Sequence, residues 1–190
     1  MKRASTQATT VSVSLPTDEA IRSIIGPTYD SHNVLNVIKM MAGTEDMYPA
    51  AVGFIRALFK ARDVDPKTRE MIMLRAAKIL NCPYEWDANT VLAKNVGLSE
   101  QEIAAAGSEG TVTGIHADYV LICKATDELS LDARLTDVTL TNLLARYGDV
   151  VCRKLILIIG WFNLLARFLN GCRVPLEDFA KLDKRADPLA

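Results

Sequence analysis

Apolar residues recur at intervals of three and four along most of the chain, and the breaks fall at glycine, proline and capping residues. Residues 1–15 are Ser/Thr-rich and lack that period. They read as a flexible N-terminal arm, mobile or ordered only by a partner subunit. Pro16, Thr17 and Asp18 open a short helix that Gly26-Pro27 stops. A second helix covers 33–42 and ends at Gly43. A third starts at Pro49, with Val52, Ile55, Leu58 and Phe59 on one stripe. Asp65 as N-cap and Pro66 at the first helical position start an apolar helix that runs to Asn81. Pro83 begins the next, which carries Tyr84 to Lys94 and stops at Gly97. Ser99 and Glu102 form a capping box for a short helix ending at Gly107. Residues 107–114 hold three glycines and form a loop. Further helices cover 115–129, 135–147 and 149–170, the last closed by Gly171.

No segment alternates at period two over a useful length, and no internal repeat is visible. The expected class is all-α, a bundle of about eight or nine helices forming a single domain over residues 16–190. The last helix is apolar all round from Leu155 to Phe162. Its uncharged run, 155–166, is twelve residues long, short of the roughly 20 that cross a membrane. A central helix of a bundle, or one at a subunit interface, fits it better.

Composition narrows the classes. The chain has 190 residues, 49% hydrophobic and 24% charged, a balance that excludes a disordered chain. Lys plus Arg number 22 against 23 Asp plus Glu, so no basic excess points to nucleic acid or an anionic membrane. Cys82, Cys123, Cys152 and Cys172 contain no Cys-x-x-Cys pair, and His32 and His116 lie near none of them in sequence; no metal site is expected. The first residues lack the apolar core of a secretory signal, which favours a cytoplasmic protein with reduced cysteines.

The chemistry concentrates between Arg69 and Glu102. Counted from Cys82, Glu85 is at i+3, Trp86 at i+4 and Asn89 at i+7, so at about 100° per residue the four share one broad face. That face offers a thiol, a carboxyl, an indole and an amide. Cys82 stands at the first turn, where unpaired N–H groups and the helix dipole favour a thiolate. Glu70 shares a stripe with Met73, Leu74 and Ala77, so partial burial and a raised pKa are expected if it lacks a cationic partner. Each residue also has a plainer reading. Cys82 is a small buried hydrophobe. Glu85 compensates the helix dipole. Glu70 pairs with Arg69, Arg75 or another base. Tyr84 and Trp86 pack the core, and Asn89 sits on a solvated face. His116 caps a helix, Cys123, Cys152 and Cys172 are core, and Arg167 makes a subunit or interhelix salt bridge or binds a carboxylate.

The long Glu70-started helix, Tyr84-Glu85-Trp86, and Gly97-Leu98-Ser99 leading into Glu102 resemble the carboxymuconolactone decarboxylase family. That family shares its fold with the alkylhydroperoxidase D-like (AhpD-like) proteins, so the resemblance implies an AhpD-like helical bundle. The peroxidase branch uses Glu, then Cys-x-x-Cys, then His; those slots fall on Glu70, Cys82, Glu85 and Asn89. Without a second cysteine at 85, a dithiol cycle does not close within the motif. The decarboxylase branch reads Tyr-Glu-Trp-x-x-His, and here the His slot is again Asn89. Asn donates a hydrogen bond to an anionic oxygen but does not exchange a proton at neutral pH.

The resemblance implies a cofactor-free lyase acting on a small carboxylated lactone or related acid. In such a reaction CO₂ leaves, and its electrons form a dienolate that must be stabilised and protonated. Asn89 is the candidate donor. Glu85, or a protonated Glu70, is the candidate acid. Tyr84 and Trp86 wall the pocket, with Cys82 a bystander or secondary acid. The alternatives are a thiol-dependent (per)oxidoreductase using Cys82 and a non-catalytic oligomeric member. The resemblance also implies a homo-oligomer, commonly a trimer or hexamer. A mean hydropathy of +0.12 and the apolar last helix agree with an apolar interface.

Overall fold

The structure is a computed structural model that describes residues 11–185 and 188–189. The first ten residues of the expected arm lie outside the described residues. The described residues form eight α-helices: α1 Asp18–Ile25, α2 Asn36–Ala42, α3 Tyr48–Phe59, α4 Pro66–Ile79, α5 Pro83–Asn95, α6 Glu100–Ala106, α7 Ala117–Leu131 and α8 Asp137–Cys172. Short 3-10 turns at Glu45–Met47 and Phe179–Leu182 complete it, and no strand occurs among the described residues. The class is all-α, as the periodicity predicts.

The organising element is α4, which packs against α5, α6, α7 and α8. Asp65 accepts the Thr68 amide at its N-terminus, and Pro66 follows. Met71, Ile72, Leu74 and Ala76 are wholly buried. So are its charged residues Arg69, Glu70 and Arg75, and this is why no clean amphipathic stripe marks the helix. Arg75 spends all its donors. It grips both Asp127 oxygens (2.5 and 2.8 Å) and the carbonyls of Ala106, Ser108 and Gly110. One buried guanidinium thereby fixes the glycine-containing loop after α6 to α4 and α7.

Several helix ends differ from expectation for nameable reasons. The second helix begins at Asn36 rather than 33, because Asp30 accepts the His32 amide (2.9 Å) and the Asn33 side-chain amide (2.6 Å), holding a turn. The Asn36 amide then bonds to Glu177 Oε1 at 2.5 Å. The two last helices are continuous in α8 except at Gly148, whose φ of 69° and ψ of 172° break the spiral. Gly171 does not end α8. The helix reaches Cys172, and Arg173 takes the left-handed cap at φ 54°. Arg167 forms no salt bridge among the described residues; its Nη1 donates to the carbonyl and side-chain oxygens of Asn163 on its own helix. His116 caps α7 by accepting the Asp118 amide at 3.3 Å.

By length and composition α8 meets the requirement of a membrane span, and 39% of its most apolar window is buried. Its inner side is core: Leu155, Ile158, Ile159, Phe162 and Ala166 are buried. Beyond it, residues 174–185 fold back as a strap across α2 and α5. Asn95 Nδ2 holds the strap at the carbonyls of Leu182 and Arg185, both at 2.9 Å. Residues 11–13 lie against the end of α8, where the Val13 amide bonds to Cys172 O at 3.0 Å and Arg173 Nη1 to Val11 O at 2.7 Å.

Candidate functional site

The site is set by the turn from α4 into α5. Asn81 takes a left-handed conformation (φ 48°), and the next amide, Cys82 N–H, reaches back to Ala77 O at 2.9 Å. This closes α4 with a Schellman-type stop, for which Asn is suited after Gly. Asn170 Nδ2 from α8 grips the Leu80 carbonyl (3.0 Å) and the Asn81 carbonyl (3.3 Å). Pro83 then starts α5 with Cys82 as its N-cap.

Cys82 does not become a thiolate there. It is 1% exposed, and burial pushes its thiol up to about 12, with the Glu85 carboxyl adding to the rise. The amides of Glu85 and Tyr84 pull it down by less, and its side chain makes no capping hydrogen bond. The expectation of a dipole-activated thiolate is therefore corrected: desolvation outweighs the helix terminus.

Glu85 and Asn89 face a cavity of about 40 Å³ between α5 and α8. Met73, Tyr84 and Leu92 line one side, and Trp161, Phe162 and Leu165 the other. Both polar residues are 4% exposed. Glu85 Oε2 and Asn89 Nδ2 have no hydrogen-bond partner among the described residues. Burial alone raises the Glu85 carboxyl well above its ordinary range, which favours its protonated form. No Lys, Arg or His lines the cavity. Asn89 is thus not on a solvated face, and Glu85 is too buried to serve only the helix dipole. As it stands the space admits water-sized guests.

Tyr84 walls this cavity and also ties down the strap. Its hydroxyl donates to Glu177 Oε1 and accepts the Val37 amide at 3.1 Å. Phe179 meets its ring edge-on at 5.1 Å. Trp86 is turned elsewhere and does not line the cavity; its six-membered ring covers Gly107, where a Cβ would meet Cη2 at 2.6 Å. The wide arc from Glu85 to Trp86, one residue on, carries the indole to the α6 side. Glu70 is wholly buried but also outside the cavity lining. Arg69 Nε lies 3.5 Å from Glu70 Oε1, in ion-pair range yet without hydrogen-bond alignment. Burial dominates and lifts the Glu70 carboxyl to about 8, with Arg69 opposing. Arg69 also stacks on Phe59 at 4.2 Å, and Phe59 lines the cavity, so the Arg69–Glu70 pair lies behind it.

Sequence reasoning missed two participants. Trp161 was read only as part of an apolar run, and Glu177 drew no signal, being 93 residues from Tyr84. No group of three His, Cys, Asp or Glu side chains that could hold a metal occurs among the described residues.

Residues 45–115 match the model of the carboxymuconolactone decarboxylase family. That stretch, well under half of the chain, is what the chain shares with the family. No curated protein gives a significant match. The family segment runs from the turn before α3 to the loop before α7 and contains Glu70, Cys82, Tyr84, Glu85, Trp86 and Asn89. The decarboxylase-family segment therefore supplies both unpaired polar groups. The far wall, Trp161 to Leu165, and the strap come from outside it.

Proposed function

We propose that this carboxymuconolactone decarboxylase family protein is a cofactor-free carboxy-lyase acting on a small acid whose carbonyl accepts electrons, such as a carboxylated lactone. The observation that carries the reading is the placing of the buried, unpaired Glu85 carboxyl beside the unpaired amide of Asn89 on one apolar cavity. A substrate carboxylate there meets no cation, and its departure as uncharged CO₂ relieves that penalty. The electron pair of the broken C–C bond passes to the carbonyl, giving an enolate or dienolate. Asn89 Nδ2 donates a hydrogen bond to that oxygen. Glu85 gives its proton to carbon and is left as a buried carboxylate, which regains a proton from water when product leaves. Asn89 needs no proton exchange for this role.

The thiol-dependent alternative is weakened by a Cys82 that is buried, protonated and absent from the cavity lining. The small closed volume favours a second reading, a non-catalytic member whose site is filled by its own side chains. The exposed row of Val150 and Leu157 on α8 fits the proposed homo-oligomer, since a soluble monomer gains nothing from it. A reaction run in D₂O tests the lyase: one deuterium enters the product at carbon, at the carbon that lost CO₂ for a keto acid and at the carbon α to the carbonyl for a dienolate, and Glu85→Gln slows that step at least roughly 100-fold. Undiminished deuteration by the variant contradicts it.

A further inference from the structure

Two cavities share a wall. Beside the closed space at Glu85 and Asn89 lies an open groove of about 740 Å³, bounded by α2, the turn before α3, α3 and α8. Trp161 and Leu165 line both, so these two residues stand between them. Trp161 is half-buried, and its indole Nε1 has no hydrogen-bond partner. Its only ring contact among the described residues is a tilted one with Phe54 at 4.8 Å. The groove itself is built from Met41, Met47, Ala50, Ala51, Leu164 and Phe168, with only Thr44 and Asp46 as polar members. It contains no Lys, Arg or His.

We infer that this groove is the outer half of the ligand site, that Trp161 and Leu165 form a movable partition, and that the ligand is a carbonyl compound with an uncharged apolar body. The inference rests on the lyase reading for the carbonyl end and adds the rest of the molecule. The inner cavity can take only a small head in contact with Asn89 and Glu85. Apart from Thr44, Asp46 and the Trp161 indole N–H, only apolar residues await the remainder. A second carboxylate on the ligand body would face Asp46 and no cation, so the groove selects against multiply charged acids. Movement of the partition joins the two spaces, and it frees the Trp161 N–H to meet a ligand oxygen. The unfilled indole donor and the large thioethers Met41 and Met47 suit a wall that must repack.

Binding of uncharged lactones tests this without requiring turnover. δ-Decalactone, with a pentyl tail, is titrated calorimetrically against the full chain, beside δ-valerolactone, which has the same ring and no tail. Two variants act on the groove alone. Met47→Glu places a charge at a side chain that is 67% exposed. Ala50→Trp fills the groove from an exposed position. Asn89→Ala removes the inner donor. The expected result is binding of δ-decalactone that weakens at least about tenfold without the tail, in either groove variant, and in Asn89→Ala. Equal affinity in wild type and both groove variants overturns the outer site. Equal affinity in Asn89→Ala shows that the head never passes the partition, and also overturns it. No binding to the wild type, together with a lower oligomeric state of the groove variants in sedimentation, assigns the groove to a second copy of the chain instead. Because the readout is affinity, a failed lyase reading appears separately, as lactone binding intact with no CO₂ released from any acid.

Discussion

Glu85 and Asn89 stand one helical turn apart on α5, and each presents an unpaired polar atom while lining the same apolar cavity. Buried polar groups in folded chains are nearly always partnered, so two orphans on one cavity are what the proposed lyase reading rests on. Asn89→Leu should therefore raise stability by about 1 kcal/mol while removing activity. Urea denaturation with a parallel turnover assay checks this. A destabilised Asn89→Leu protein would mean that Asn89 has a structural partner.

The Arg75 hub makes the opposite prediction. Arg75 is 1% exposed and satisfies Asp127 together with three loop carbonyls. Arg75→Met leaves a carboxylate and those carbonyls without donors, at a cost of roughly 3–5 kcal/mol. Arg75→Lys should rescue little of it, because a point charge cannot reproduce the planar fork. Near-wild-type denaturation of the lysine variant would contradict the account.

The pH dependence of stability should carry the signature of Glu70. Its pKa rises from 4.5 to about 8 in the fold. The native state then holds a proton that the unfolded chain has released. Its contribution is full below about 4.5 and declines as pH climbs through about 8. The slope inside that window is up to ~1.4 kcal/mol per pH unit. Urea midpoints at pH 6 and pH 8 should fall with pH in the wild type and fall less steeply in Glu70→Gln, the Glu85 carboxyl supplying the slope that is left. An unchanged slope in the variant would show that Arg69 holds Glu70 ionised.

Tyr84 connects the cavity wall to the strap. Tyr84→Phe strips the Val37 amide and Glu177 of a shared partner at a cost of about 1–3 kcal/mol. Faster hydrogen exchange over residues 174–185 and the start of α2 is the expected sign. Acceleration spread evenly over the whole chain would mean global destabilisation and no latch.

What could be seen in the sequence follows the range of the forces involved. The Asp65, Ser99 and His116 caps, the Gly97 stop and the break at Gly148 depend on neighbours a few residues away, and all are found where local rules place them. The start of α2 at Asn36 rather than 33 follows from the turn that Asp30 holds, with the distant Glu177 then taking the Asn36 amide, and apolar periodicity shows neither. Arg173 in a left-handed cap breaks the usual preference for glycine, so Gly171 drew the stop instead. Helical spacing put Glu85 and Asn89 together correctly. It could not tell that Trp86 would cover Gly107, or that Trp161 from α8 would be the indole at the cavity. Nor could it weigh burial against the helix dipole at Cys82, since that balance depends on which elements pack over the turn.

Release of CO₂ by three proteins tests the central claim most directly: the wild type, Glu85→Gln and Cys82→Ala, each offered carboxylated lactones and keto acids. Release that is lost in Glu85→Gln and kept in Cys82→Ala is the predicted result. Release that survives Glu85→Gln but vanishes in Cys82→Ala would contradict the account and return the chemistry to the thiol.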